Sequence, residues 1–340
     1  MTAKAKRNLL LRVLIYGGLL TAAVIALRMR ACPTWTPAAV TETYQTRKPN
    51  PYIDPEGQTQ ETRILPPEGF ARTEAAEGSF TAFMRQQPVY GDGSMIYVYD
   101  GSQRSGAGAA AVYDLSVGAE GYQECADSII RLWSEYFRGS GQEARLSYHL
   151  SNGFLCDWTS WKRGKRVLAF GDFAMWLPLS LPDDSEQQFH NYLVTVMRYA
   201  GTLSLEAESE PIDVSEAHPG DILCHGGAPG HAVLIADEAV NEAGERCFLL
   251  AQGFIPAQSC QILAGYAGAE SPWYSASQLT GDEIRLEGYT FRGDGILRRW
   301  NGGFSESRGA HLHLSPLKGE MSAARTEGSP AERTHNCISI

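Results

Sequence analysis

Apolar positions recur along the chain with two periods. Cys125, Ile129, Leu132, Trp133 and Tyr136 fall at steps of three and four, which lines one face of a helix over 122–137, and Gly139 to Gly141 end it. Asp184 to Ala200 repeats the pattern through Phe189, Leu193, Val196 and Ala200. Ser185 and Gln188 form a capping box at its start, and Gly201 stops it. A shorter helix, Phe80 to Gln86, follows the cap residue Ser79. Period-two stretches predict strands over Met95–Tyr99, Ala109–Leu115, Arg145–Leu150, Phe154–Trp158, His231–Asp237 and Arg246–Gln252, with one more inside 284–300. Asn152-Gly153 is a hairpin signal between two of them. Helices and hairpin-linked strands together predict an α+β domain.

The flanks differ from this body. Lys4, Lys6 and Arg7 precede Leu9 to Leu27, apolar apart from Arg12, and no acidic residue occurs before Glu42. About 20 apolar residues span a bilayer, and Arg12 lies near the cationic end, where its side chain can snorkel. Residues 1–32 therefore read as an uncleaved membrane anchor, with a cleaved signal segment as the alternative. Either places the body outside the cytoplasm, facing the periplasm or the cell exterior, where disulfides are permitted. Residues 33–75, with Pro33, Pro37, Pro49, Pro51, Pro55, Pro66 and Pro67, read as an extended tether. Residues 76–301 form the folded domain, and 302–340, poor in large apolar residues, a disordered tail.

Composition narrows the functions. The chain has 340 residues, a formal net charge of -10 and a pI of about 5.3, which argues against nucleic acid as a partner. Seven cysteines include no Cys-x-x-Cys pair. Cys224, His225, His231, Cys247 and Cys260 are near one another in sequence, but neighbours on a strand point to opposite faces, so no metal site and no cofactor are predicted.

The chemistry gathers around residues 219–237. A Gly220-Asp221 turn, a short strand and the loop Gly226-Gly227-Ala228-Pro229-Gly230 lead to His231 at the mouth of an apolar strand. A histidine so placed can face a cleft and serve as a general base. His225 is its nearest competitor. Cys125 lies in the first turn of its helix, where free N–H groups and the dipole lower a thiol's pKa and can hold an oxyanion. A base needs an orienting partner. Asp237 is six residues beyond His231, ~20 Å along a strand, out of reach. A turn centred between Asn241 and Glu242 places Gln252 directly opposite His231. Gln123, two residues before the cysteine, is a further oxyanion donor or a polar helix-start residue. Lys162, Arg163, Lys165 and Arg166 form a basic cluster, from which Arg163 and Lys165 are candidate contacts for substrate carboxylates; a solvated loop is the alternative. Trp158, Trp161, Trp176 and Trp273 line a cleft or fill the core.

These motifs carry a resemblance. Tyr122-Gln123-Glu124-Cys125-Ala126-Asp127, Ser151-Asn152-Gly153-Phe154, Tyr199-Ala200-Gly201-Thr202-Leu203-Ser204-Leu205, Gly220-Asp221-Ile222, Pro229-Gly230-His231-Ala232-Val233, Leu250-Ala251-Gln252-Gly253-Phe254-Ile255-Pro256-Ala257-Gln258 and Pro272-Trp273-Tyr274 together resemble the bacterial family called domain of unknown function 4846, over roughly residues 65–300. More loosely, the order Cys125, Gly220-Asp221, His231 is similar to the NlpC-type and CHAP-type papain-like peptidases and amidases. That likeness implies a papain-like α+β fold, with a Cys-bearing helix packed on an antiparallel sheet carrying the histidine. It implies a cysteine hydrolase acting on peptide or peptidoglycan-like substrate through Cys125, His231 and Gln252. Gln252 stands where those families carry another polar residue, and the interval from Cys125 to His231 is long for the NlpC type. A non-catalytic envelope ligand-binding module and a cysteine acyltransferase are the alternatives. A buried, unreactive Cys125 would mark the module, and stimulation by added amine the transferase.

Overall fold

The computed structural model describes residues 33–301 except 267 and 268, together with Ile15 and Gly18. The expected anchor or signal segment at 1–32, those two positions aside, and the expected tail at 302–340 lie outside the described residues. Among the described residues no helix is long and apolar enough to cross a membrane.

The architecture is α+β. Nine antiparallel strands form the main sheet: β1 (Phe70–Arg72), β2 (Ala109–Val112), β3 (Ser209–Pro211), β4 (Ile222–His225), β5 (His231–Asn241), β6 (Arg246–Gln252), β7 (Gln261–Leu263), β8 (Trp273–Ser275) and β9 (Leu297–Trp300). The path runs β2-β7-β6-β5-β4-β9-β3, with β1 on the far half of β5 and β8 on the near half of β6. The long hairpin β5–β6 is the spine because both strands are almost wholly buried, as befits strands covered on both faces.

Alternation along β5 divides the core. Ala232, Leu234 and Ala236 face one layer, with α1 (Cys125–Gly139) and α2 (Glu186–Tyr199). Val233 and Ile235 face a second, smaller layer with Phe248, Leu250, Ile284 and Phe291. A third helix, α3 (Thr202–Ala207), packs beside β4. Ser185 caps α2 as expected, accepting from Gln188 N–H. Trp158 and Trp161 are fully buried and Trp273 nearly so: they are core residues, while Trp176 is half-buried against Phe154.

Three stretches differ from the pattern-based expectation. Residues 33–75 are extended, but they lie along the domain and do not hang free. Ala38 N–H bonds Val117 O at 2.9 Å, Gln45 N–H bonds Gly93 O at 2.8 Å, Ile64 is fully buried, and the buried Gln60 amide donates to Ala236 O at 3.1 Å. Proline spacing signals extension but is silent on what an extended chain packs against. The basic cluster is no loop: Trp158–Lys162 is a short helix, and Lys165–Phe170 pairs with Phe173–Pro178 as an outer hairpin. The region 284–300 holds three strands, because Glu283–Leu286 and Tyr289–Arg292 form a second hairpin before β9.

Candidate active site

Cys125 is the first residue of α1. Asp127 Oδ2 accepts the Glu124 N–H at 3.1 Å, and Ser128 Oγ donates to Glu124 O at 2.8 Å, so the chain entering the helix is held from within its first turn. Gly253 then packs onto this turn. A β-carbon there would overlap Ser128 Oγ and lie 2.6 Å from Glu124 O. Gly253→Ala is therefore expected to displace the start of α1 at a cost of about 1–3 kcal/mol. Urea unfolding would show the loss, and a variant as stable as the parent would mean that this contact is loose.

The strands set His231 next to the residue whose backbone acts on the thiol. β6 pairs with β5 only from Leu234↔Ala251 onward, and beyond that point the backbone of Ala232, like that of Ala126, acts on the Cys125 thiol to lower its pKa. The sulfur thus rests against the residue that follows His231. The His231 ring projects to the other side of the strand, where Tyr289 (ring centroids 4.8 Å apart), Phe254 (5.2 Å) and Phe291 (5.9 Å) enclose it.

Gln252 sets the state of that ring. Its Nε2 donates to Glu287 O at 3.2 Å, and a carbonyl only accepts, so Oε1 is the atom facing His231 Nε2 at 2.7 Å. Nε2 must then carry the hydrogen, and Nδ1 keeps the lone pair that a base requires. The register differs from expectation. The turn spans Asn241 to Glu245, and a bulge lies between Ile235 and Asp237. Continued by one residue, the pairing sets Gln252 opposite Val233, diagonal to His231. Long side chains bridge such diagonals, ~7–8 Å between backbones, and this one does.

Electrostatics overturn one expectation. Burial, and then the charge of Asp127, push the Cys125 thiol up to about 12, and its side chain is 4 % exposed. Backbone hydrogen bonds of Ala232 and Ala126 act the other way but are outweighed. Burial also lowers His231 below its usual 6.5, against the bond to Gln252. At neutral pH the thiol and the imidazole are each neutral, with no preformed thiolate or imidazolium.

The remaining candidates have other surroundings. Gln123 Oε1 lies 3.5 Å from Arg131, its side chain lines a small cavity with Trp35, Glu120 and Val194, and its Nε2 is buried with no hydrogen-bond partner among the described residues. Arg163 and Lys165 are exposed at the base of the outer hairpin, and among the described residues no contact joins them to Cys125 or His231. Arg166 is a core residue, stacked 4.3 Å from the Trp161 ring. His225 is exposed, and its Nδ1 lies 3.1 Å from the Tyr289 hydroxyl. Cys224 is a buried free thiol across from Ala232.

Tyr289, Glu287 and Phe254 were not singled out by pattern. Tyr289 also donates to Pro229 O at 3.3 Å, and burial, then the nearby thiols of Cys125 and Cys224, raise its hydroxyl pKa. The Glu283–Arg292 hairpin thereby forms a cover over the His231–Gln252 pair. The Glu287-Gly288 pair between two alternating stretches was the available signal for it.

No curated protein and no solved structure matches the chain. A family model described as domain of unknown function (4846) matches residues 60–298, a span that runs from the buried Gln60 to β9 and includes the whole cluster, so the chain belongs to that family.

Proposed function

We propose that the chain is a papain-like cysteine hydrolase, membrane-tethered and facing the cell envelope, that cleaves amide or peptide bonds, with cell-wall peptide as the substrate class. The observation that carries this reading is the tautomer of His231. Gln252 holds Nε2–H and leaves Nδ1 basic, one residue along the strand from Ala232, whose backbone acts on the Cys125 thiol. Because both partners rest neutral, Nδ1, once substrate entry turns the ring toward the sulfur, takes the thiol proton as sulfur attacks the carbonyl carbon. The Cys125 N–H at the start of α1 receives the oxyanion. Imidazolium then returns the proton to the leaving amine, and water, deprotonated by the same nitrogen, hydrolyses the thioester. Substrate enters by displacing Tyr289 and Phe254.

A second reading is favoured by the burial of Cys125 and its raised pKa: a ligand-holding module in which the thiol is structural. Peptidoglycan stem peptides offered to the parent and to Tyr289→Ala separate the two. The hydrolase reading predicts cleavage that is faster once the cover is opened. If both proteins leave every stem peptide intact, the hydrolase is ruled out and the module stands.

A further inference from the structure

The outer hairpin has two unlike faces. Pairing sets Phe170 against Phe173, Leu168 against Met175, Ala169 against Ala174 and Val167 against Trp176. Val167, Ala169, Ala174 and Trp176 pack inward on the main core. The opposite face is also apolar at its free end: Phe170 is 53 % exposed, Phe173 58 % and Met175 37 %, and Leu181 beyond the second strand is 82 % exposed. The outer face of a surface ribbon is ordinarily polar, and a contiguous apolar patch of this kind marks a surface that is covered in use.

What covers it is indicated by the path of the chain. Trp35 is fixed to α2: its N–H donates to Asn191 Oδ1 at 2.8 Å, and Gln187 donates to its carbonyl at 3.2 Å. The adjacent Gln188 accepts from Arg166 of the outer hairpin at 2.6 Å. The hairpin and the incoming chain are therefore attached to the same end of α2. The apolar run ends at Leu27, and the eight residues from there to Trp35 reach at most about 28 Å. A bilayer holding residues 9–27 is thus kept close to this end of the domain.

We propose that the outer hairpin docks its Phe170–Phe173 tip and Met175 face on the phospholipid bilayer that holds the N-terminal segment. The inference rests on the reading of residues 9–27 as that segment, and is independent of the chemistry at Cys125. Arg163 and Lys165 are exposed at the base of the hairpin, where they meet anionic headgroups. Asp172 at the tip, and Asp183 and Asp184 nearby, are exposed as well. Asp172 keeps the tip at headgroup depth, with the two phenyl rings reaching the acyl boundary ~5–10 Å below, as interfacial segments do. Docking fixes the orientation of the domain, and so the direction in which the covered cluster faces.

The test places the photo-crosslinking residue p-benzoylphenylalanine at 173 or, as a control, at Arg292 on the exposed face of the other hairpin. Each full-length protein is reconstituted into vesicles of phosphatidylethanolamine and phosphatidylglycerol, floated and irradiated. Lipid adducts at 173 and none at 292 are the expected result. A protein that floats with the vesicles yet gives no lipid adduct at 173 overturns the docking while leaving the tether intact. An adduct at 173 to a second copy of the chain assigns the face to self-association and overturns it too. A protein that fails to float removes the tether and the docking together.

Discussion

Cys125→Ala is expected to abolish amide hydrolysis while leaving stability nearly unchanged, and His231→Ala to abolish it equally at a cost in stability, because its buried ring fills space among Tyr289, Phe254 and Phe291 and satisfies Gln252. Members of a nucleophile–base pair act as a unit, so loss of either costs on the order of 10⁴–10⁶-fold in turnover. The double variant should be no worse than either single one. The neutral resting pair adds a signature in pH. The base must be unprotonated, and burial lowers His231 below 6.5, so activity persists into acid further than with an ordinary histidine and falls only below that pH. The thiol, pushed up to about 12, sets no limb near neutrality. The same shifts act on stability. Below 6.5 the unfolded His231 takes a proton that the folded one resists, so stability falls as the pH drops through that range. Above about 9 the unfolded Cys125 loses a proton that the folded one keeps, so stability falls again as the pH rises. Rates across pH 4–10, beside alkylation of Cys125 followed by mass spectrometry, check both arms. Rapid labelling of the parent near pH 6 would show an activated thiolate and defeat the neutral-pair mechanism.

Asp237→Ala is expected to be the most destabilising single change outside the apolar core, by about 3–5 kcal/mol. The carboxylate is fully buried. Oδ2 accepts from Arg72 Nε at 2.7 Å, and Oδ1 accepts from Arg85 Nε at 2.9 Å and from the Glu238 N–H at 2.9 Å. Arg72 lies on β1 and Arg85 ends the helix Phe80–Arg85, so one side chain ties two early segments to β5. Its removal leaves two guanidinium groups, 13 % and 8 % exposed, without their counter-charge. Against a typical total of ~5–15 kcal/mol, that is a large share. Breaking the exposed Arg292–Glu283 pair should cost at most about 1 kcal/mol. Urea midpoints of the two variants test the contrast, and equal midpoints would mean that Asp237 is relieved by local rearrangement.

Asp237 also shows what each level of description contributes. Its distance from His231 along the strand excludes it as an orienting group by arithmetic alone, but its partners come from segments about 150 residues away, which no local pattern connects. Cys125, His231 and Gln252 were legible for a local reason. Helix starts, strand mouths and hairpin strands are written in side-chain periodicity, and periodicity alone places a cysteine at a helix N-terminus and a glutamine near a histidine. The register was not legible, because a bulge between Ile235 and Asp237 and the exact turn move Gln252 to the diagonal. The protonation states were not legible either. A helix N-terminus lowers a thiol and burial raises it, and only the packing of Gly253, Tyr289 and Phe254 around the site decides that burial prevails. The same holds for the cover over the cluster, for residues 33–75 laid along the domain, and for the apolar outer face of the 165–178 hairpin. The chain itself determined which chemical groups are present and on which local elements they lie. Tertiary structure decided which of them meet, how wet they are and therefore what charge they carry, because solvent exclusion is a property of all the surrounding segments together.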